Sequence, residues 1–278
     1  MPLPKFSIVT PSLNQATYLE QNIKSVLAQN YPSTEHIIID GGSQDGTIEI
    51  LKRYPHLVWS SEPDRGQAAA LNKGFRKATG EIIGWLNADD TYLPDIFHLV
   101  ARSFEVPENM VSFGDANEVD GIGNILRARK SRGVSSENLI RYWWWSYEYT
   151  QPAFFFRRSA FDEIGMLDED LFYVMDHEFF IRLSLRYPFT YIPAKLANYR
   201  LHPASKTGKV SGSVIPDSVW ELHRVSRRHW GRPGEWKFYS HALSFVGGLL
   251  LSFGKNLFFR KDSKSRLLAE RLLGKSVS

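Results

Sequence analysis

The chain has no cysteine in 278 residues. Disulfides, thiolate metal sites and cysteine nucleophiles are therefore excluded, and a reducing compartment is the simple expectation. Any metal must be held by oxygen or imidazole. A long apolar run is also missing. The best stretch, residues 242–254, is shorter than the about 20 residues a bilayer-spanning helix needs. The amino end, Met1-Pro2-Leu3-Pro4-Lys5, leads into a strand without the apolar core of a signal peptide, so export is not expected. Charge is nearly balanced, with 34 Lys and Arg against 30 Asp and Glu. The positive charge gathers late, from Arg224 to Lys275, which suits an anionic surface near the carboxyl end better than a nucleic-acid groove. What is plentiful is apolar: 43% hydrophobic and 14% aromatic residues belong to a packed core, not to a disordered chain.

Within that composition, residues 82–95 pass from apolar to acidic in a few positions: Ile82-Ile83-Gly84-Trp85-Leu86, then Asn87-Ala88-Asp89-Asp90-Thr91. The first half has the length and branching of a strand buried on both faces, as in a parallel sheet. The carboxylates then fall at its carboxyl end, the edge at which open α/β sheets bind ligands. Asp89 beside Asp90 is a repulsive pair that a divalent cation would relieve. Oxygen ligands suit Mg²⁺ or Mn²⁺, which commonly bind through one or two carboxylates plus the phosphates of a substrate. The plain alternative is that this segment caps a helix over 93–104.

The rest of the chain supplies a sheet around that strand. Strands are read at 6–10, 36–40 and 57–60, with helices between them. Pro11-Ser12-Leu13-Asn14 breaks the first strand, and Ser43 or Asp45 is placed to cap a helix running through Tyr54. Alternating strand and helix is the pattern of a parallel sheet with crossover helices. Beyond Leu99 the pattern loosens into strands at 110–114, 124–128, 153–157, 190–192 and 197–201, which fit antiparallel additions. The segment from Met175 to Leu183 is an amphipathic helix. From about Pro216 the helical segments turn rich in Trp, Arg and His. There the apolar stretch flanked by Arg260, Lys261, Lys264 and Arg266 reads as a helix lying in a membrane interface. A helix packed on the domain or forming a homodimer contact is the alternative.

Three features fall at or after strand ends in a fixed order: Thr10 to Asn14, Asp40-Gly41-Gly42-Ser43-Gln44-Asp45-Gly46-Thr47, and Asn87 to Asp90. Their order and spacing resemble the inverting family 2 glycosyltransferases of the GT-A fold, bacterial polysaccharide-type members included. The resemblance runs over about residues 5–205. It gains specificity from Ser61 to Gln67, Leu71 to Gly74, Gln151-Pro152, Met175 to Glu178 and Tyr199 to His202. It implies a mixed, mostly parallel sheet flanked by helices. The domain would cover 1–215, with a nucleotide half to about 95 and an acceptor half after it, followed by a helical extension over 216–278.

The resemblance further implies that Pro11, Ser12, Asn14, Asp40 and Gly42 hold the nucleotide base, and that Asp64, Arg65 and Lys73 line the donor pocket. A carboxylate accepting a base N–H is consistent with that role for Asp40, and Arg65 and Lys73 can neutralise phosphate. The usual Asp-x-Asp metal motif begins here with Asn87, which can meet a ribose hydroxyl but is a poor Mg²⁺ ligand. Ala88 lies in the same motif. Metal binding then falls to Asp89 and Asp90 with the late His202, whose imidazole favours Mn²⁺, and Lys206 reaches toward the leaving diphosphate. Inverting transfer needs one base on the acceptor side. Asp176 is the candidate, with Glu178 as its rival and Gln151 and Trp145 nearby on that side. The implied enzyme moves a sugar from a nucleotide-diphosphate donor to a glycan or lipid-linked hydroxyl, in the cytoplasm or at the inner face of its membrane. A sugar-1-phosphate nucleotidyltransferase would want a glycine-rich basic loop after the first strand, which is lacking. A non-catalytic sugar-nucleotide-binding module draws some support from Asn87.

Overall fold

The computed structural model describes residues 3–144, 146–203, 205 and 217–259, with backbone alone for 249–259. Its first half is a parallel sheet with crossover helices: β1 (Phe6–Ser12), α1 (Leu19–Leu27), β2 (Thr34–Asp40), α2 (Thr47–Lys52), β3 (Val58–Ser61), α3 (Gln67–Lys77) and β4 (Ile82–Trp85). All seven residues of β1 and all four of β4 are buried. Helices cover both faces of these strands, so they read as unbroken apolar runs. Strand β1 continues through Pro11 and Ser12, which pair with Ile39 and Asp40 of β2. The expected break therefore comes two residues later. A proline is tolerated there because it stands at the end of the ladder.

After β4 come β5 (Thr91–Tyr92), α4 (Ile96–Ser103), β6 (Val111–Val119), β7 (Ile125–Arg129), α5 (Ser136–Ile140), β8 (Phe154–Arg157), α6 (Ala160–Ile164), α7 (Met175–Arg186) and β9 (Phe189–Arg200). Among the described residues the sheet order is β3-β2-β1-β4-β8-β6-β9-β5, with β7 paired to β6. The two short strands expected at 190–192 and 197–201 are one long strand. Its ladder with β6 slips between Gly114 and Asp115, where Pro193 has no N–H to give.

Strand direction fixes what lies where. β1 to β4 run together, β8 runs against β4, and β6 runs against β8 and parallel to β9. The carboxyl ends of β1, β2, β3, β4, β6 and β9 and the amino end of β8 therefore share one edge. Helix α7 delivers the chain to the opposite end of β9, so its own amino terminus also lies at that edge.

Two local expectations change. Helix α4 starts only at Ile96 behind Asp95, which has φ 58° and makes no capping bond. The Asn87 to Asp90 side chains bond elsewhere, as set out below, and do not cap it. Helix α2 is likewise preceded by Gly46 without a side-chain cap and ends at Lys52.

The extension consists of α8 (Asp217–Arg227) and α9 (Trp236–Phe259). It packs into the same hydrophobic cluster as the acceptor half: Val225 and Trp230 are buried with Tyr142, Trp143 and Phe179. A buried side chain of this size contributes about 1.5–3 kcal/mol. Gly248 lets α9 lie directly on Trp143, since a Cβ there would stand 2.4 Å from Trp143 Cδ1. Trp143 is therefore core, while Trp144 is exposed and donates to Ser244 Oγ at 2.6 Å.

Candidate active site

The side expected to take the nucleotide is built from the loops that leave β1, β2 and β3. Asn14, at φ 52°, adopts the left-handed backbone that asparagine tolerates. Its N–H donates to Ser43 Oγ at 2.7 Å, and its Oδ1 accepts from Gln44 N at 2.9 Å. Asp45 ties the same two loops, accepting from Ala16 N at 3.0 Å and from Thr47 N at 3.1 Å. Asp64 closes the third side. Its Oδ1 accepts from Gly66 N, and its Oδ2 lies so near Gly41 that a Cβ there would stand 2.9 Å away.

Asp40 is fully buried. Its carboxylate accepts from Gly42 N at 3.0 Å, Ser43 N at 2.8 Å, Ser43 Oγ and Ser61 Oγ at 2.7 Å. It holds the Gly41–Gly42 turn mainly through Oδ2, while Oδ1 accepts only from Ser43 Oγ. Ser12 Oγ is buried and finds no partner among the described residues. Arg65 is exposed. Lys73 pairs with Glu62 at 2.9 Å and lines a groove of about 490 Å³ with Arg76 and Lys77. That groove meets the donor loops only through Ser61 and Glu62.

Beyond β4 the acidic segment divides. Asn87 Oδ1 accepts from Gln67 Nε2 at 2.8 Å and from the Trp85 indole at 2.9 Å, while its Nδ2 donates to Gln151 Oε1 at 3.1 Å. Both lone pairs of Oδ1 are taken, so the expected bond to a ribose hydroxyl is not available in this arrangement. Gln151 is fixed in turn by donating to Trp85 O at 2.8 Å. It couples the two halves and is not a loose acceptor contact. Ala88 is buried beside Leu19 and Ile38.

Asp90 turns inward. It is buried and accepts the backbone N–H of Arg200 at 2.9 Å. Burial, then the Asp89 charge, push its carboxyl well above the ordinary range, against the pull of the Arg200 N–H and the Asn87 amide. A carboxyl so placed pins β9 to the loop. Its expected role as a metal ligand is set beside this structural one, and of the two carboxylates Asp89 is the one that faces His202, with Oδ2 to Nε2 at 3.0 Å. Arg200 braces the pair: its guanidinium donates to Asp89 O at 2.8 Å, to Asp120 O and to Gln21 Oε1, and lies 5.0 Å from the Tyr18 ring centroid. The same Tyr18 ring lies 4.7 Å from His202. Two cis ligands on an octahedral ion with bonds of about 2.1 Å stand about 3 Å apart, so the separation and the oxygen and nitrogen donors fit a shared cation. Among the described residues no third carboxylate or imidazole joins them.

On the acceptor side Asp176 opens α7 and accepts from His177 N at 2.8 Å. His177 is buried between Tyr149 Oη at 3.1 Å and Leu139 O at 2.9 Å. Burial lowers its pKa to about 4. Tyr147 and Tyr149 have raised pKa values, from burial first and the Asp176 charge second, which places both phenols in the field of that carboxylate. Glu178 is buried and paired with Arg182 at 2.7 Å. Arg182 also donates to Met166 O at 2.8 Å. Glu178 is thus a structural residue, which corrects its candidacy as rival base. Trp145 and Lys206 lie outside the described residues. Gln67, Arg200, Tyr18 and Tyr149 were not singled out as site residues. Gln67 and Arg200 do carry a signal, since they lie in the motifs Ser61 to Gln67 and Tyr199 to His202, whereas Tyr18 and Tyr149 carry none.

A mixed curled sheet with helices on its faces and a ligand edge built this way is the GT-A fold. S. aureus TarS 1-349, solved in complex with UDP-GlcNAc, superposes with TM-score 0.65 at 17% identity over 97% of this chain and 80% of that one. The mannosyltransferase PcManGT from Pyrobaculum calidifontis, solved with GDP-Man and Mn²⁺, gives 0.56 at 17% identity over 96% and 83%. The family model for Glycosyl transferase family 2 matches residues 7–165, and the chain belongs to that family. An uncharacterized glycosyltransferase of Mycobacterium tuberculosis is 32% identical over 188 residues, 66% of this chain and 70% of its own length. The putative teichuronic acid biosynthesis glycosyltransferase TuaG of Bacillus subtilis is 39% identical over 98 residues, 33% and 38% respectively.

Proposed function

We propose that the protein moves a sugar from a nucleotide-diphosphate donor to a hydroxyl of a glycan or lipid-linked acceptor, with inversion. UDP is the first candidate nucleotide, with dTDP and GDP as alternatives. The observation that carries this reading is the shared edge: strand directions bring the three donor loops, the Asp89–His202 pair and the amino terminus of α7 together. The nucleotide sugars bound by the two structural neighbours, and the teichuronic acid biosynthesis for which TuaG is named, support the substrate class.

The base would lie on the Gly41–Gly42 turn braced by Asp40, beside Asp64. There the buried Ser12 hydroxyl would gain the partner it lacks, and an unmatched buried group costs about 1–3 kcal/mol. Arg65 and Lys206 would meet the diphosphate. Asp89 and His202 would hold Mn²⁺ or Mg²⁺, which when bound supplies Lewis-acid stabilisation of charge on the leaving group. Asp176 would take the proton of the acceptor hydroxyl as its oxygen bonds to the anomeric carbon, while the nucleoside diphosphate leaves with the electron pair of the broken bond. Asp176 is half-buried at the start of α7.

Membrane contact follows from the charge and from α9. Among the described residues no helix is long and apolar enough to cross a membrane. Phe238, Ala242 and Phe245 pack inward, whereas Trp236 (79% exposed), Tyr239, Leu243 (69%) and Val246 form an outer stripe. Residues 260–278 hold six basic and two acidic side chains, a surplus equal to the +4 of the whole chain. An anionic bilayer surface fits both features.

The test is calorimetric titration of UDP, dTDP and GDP with and without Mn²⁺, on the wild type and on Asp89→Ala. Tighter UDP binding with Mn²⁺, abolished in the variant, is expected. Equal binding with and without the ion would overturn the metal assignment, and no nucleotide binding at all would overturn the donor reading. Flotation with vesicles containing anionic lipid should carry the wild type and leave Leu243→Asp behind. Concentration-dependent dimerisation lost in Leu243→Asp, without flotation, would assign the stripe to a second copy instead.

A further inference from the structure

The helical extension reaches into the segment that carries Asp176. The residue preceding α7, Val174, supplies no side-chain cap. In its place Glu221, from α8, accepts three successive backbone N–H groups: Phe172 at 2.8 Å, Tyr173 at 2.5 Å and Val174 at 2.9 Å. Its side chain is 12% exposed. A carboxylate at this position holds the segment that enters α7 and lies at the favourable end of the helix dipole. The carboxyl end of α8 and the residue after it are anchored to the domain. Val225 is fully buried, Ser226 Oγ donates to Ile140 O at 2.6 Å, and Arg228 pairs with Asp168 at 2.8 Å. The far end of the same loop is held by Asn72 of α3, which exchanges 3.0 Å bonds with the N–H and C=O of Leu167. The loop before Asp176 is thus clamped from the nucleotide half at one end and from the extension at the other.

We propose that Glu221 is a positioning residue for glycosyl transfer, through which the extension sets the register of Asp176 against the acceptor hydroxyl. The proposal rests on Asp176 being the base. Without Glu221 the segment 172–174 loses three charge-assisted hydrogen bonds two residues before the carboxylate. A displacement of about 1 Å at a reacting group can cost on the order of a hundredfold in rate.

The experiment is a double-mutant cycle on the full chain with donor, acceptor and Mn²⁺, with rates expressed per nucleotide-binding site counted by titration. Glu221→Ala should lower kcat by about tenfold or more and leave the donor KM within about twofold. Glu221→Gln, which keeps one acceptor oxygen, should fall between it and the wild type. In an Asp176→Asn background the further loss from Glu221→Ala should vanish, because the group being positioned is gone. An equal loss in both backgrounds, or no loss per binding site, overturns the proposal. Full turnover by Asp176→Asn alone overturns instead the base assignment beneath it. If Glu221→Ala does not fold, Glu221→Gln is read against the same two outcomes.

Discussion

The nucleotide half and the acceptor half are held by different means. Around β1, β2 and β3 the loops are stitched by polar groups that all belong to those loops: Asp40 to Gly42, Ser43 and Ser61, Asn14 to Ser43 and Gln44, Asp45 to Ala16 and Thr47, Asp64 to Gly66. The acceptor half is held by rings and by distant partners. Phe154 stacks on Phe180 at 4.2 Å, Trp143 meets Trp230 and Phe245, and Glu221 closes on a loop 47 to 49 residues away. The difference teaches that the first half ties its loops to one another without help from the rest of the chain, while the second half needs its last helices in place before the segment leading to Asp176 is held.

The sharpest way to test that division is to remove the groups each half contributes. Asp176→Asn should lower kcat by about 10²–10⁴-fold, the range for loss of a general base, with nucleotide affinity in the presence of Mn²⁺ unchanged. Steady-state rates beside calorimetry would show it. A variant that turns over normally would shift the chemistry out of the acceptor half.

Next in size is the response to acid, because each half buries an imidazole whose pKa burial lowers. Burial lowers His36 to about 3 in the nucleotide half and His177 to about 4 in the acceptor half, from an ordinary 6.5. The unfolded chain takes up these protons below pH 6.5 and the folded chain refuses them until pH 4 or 3. Stability is therefore present above 6.5 and falls as pH falls through that window. Between pH 7 and 5 each histidine costs roughly 2 kcal/mol. Asp90, raised by burial and Asp89, is protonated sooner in the folded chain and works in the opposite direction. Urea midpoints at pH 7 and 5 should show a net loss, with a shallower dependence on pH in His177→Gln. A stability that stays flat to pH 5 would contradict the burial of both rings.

How much of this was legible in the chain follows the same line. The parallel strands and the donor loops were readable because their signals are local: branched apolar runs, then glycine with Asp, Asn or Ser. The inward turn of Asp90 was not, since it is decided by the Arg200 backbone 110 residues away. Nor was the internal use of Asn87, whose partners Gln67 and Gln151 lie 20 and 64 residues off. Adjacent carboxylates look alike in a sequence. Which one faces solvent depends on where β9 comes to rest. Glu178 misled for a related reason, because a charged residue in the first turn of a helix looks exposed until the loop that buries it is known.

A smaller effect separates holding the turn from binding the base. Asp40→Ala leaves Gly42 N, Ser43 N and Ser61 Oγ without their acceptor in a buried setting, a cost of about 2–3 kcal/mol. The urea midpoint should fall accordingly. UDP binding by the fraction that remains folded should weaken through loss of the turn's shape, and calorimetry on folded protein would register it. Unchanged stability with lost binding would instead return Asp40 to direct contact with the base.

The smallest expected change tests the two neighbouring acids of α7 against each other. Glu178→Gln keeps one acceptor for Arg182, and Arg182 retains the backbone carbonyls of Ile164 and Met166 as well as its place 5.5 Å from the Phe179 ring centroid. Breaking a buried pair outright would be worse, but here the cation stays satisfied, so a loss of about 1 kcal/mol is expected. The kcat per nucleotide-binding site should not change, because Glu178 sits on the interior face of the helix while Asp176 is half-buried at its start. A drop in kcat comparable with that of Asp176→Asn would mean that the carboxylate aimed at the acceptor is the wrong one of the two.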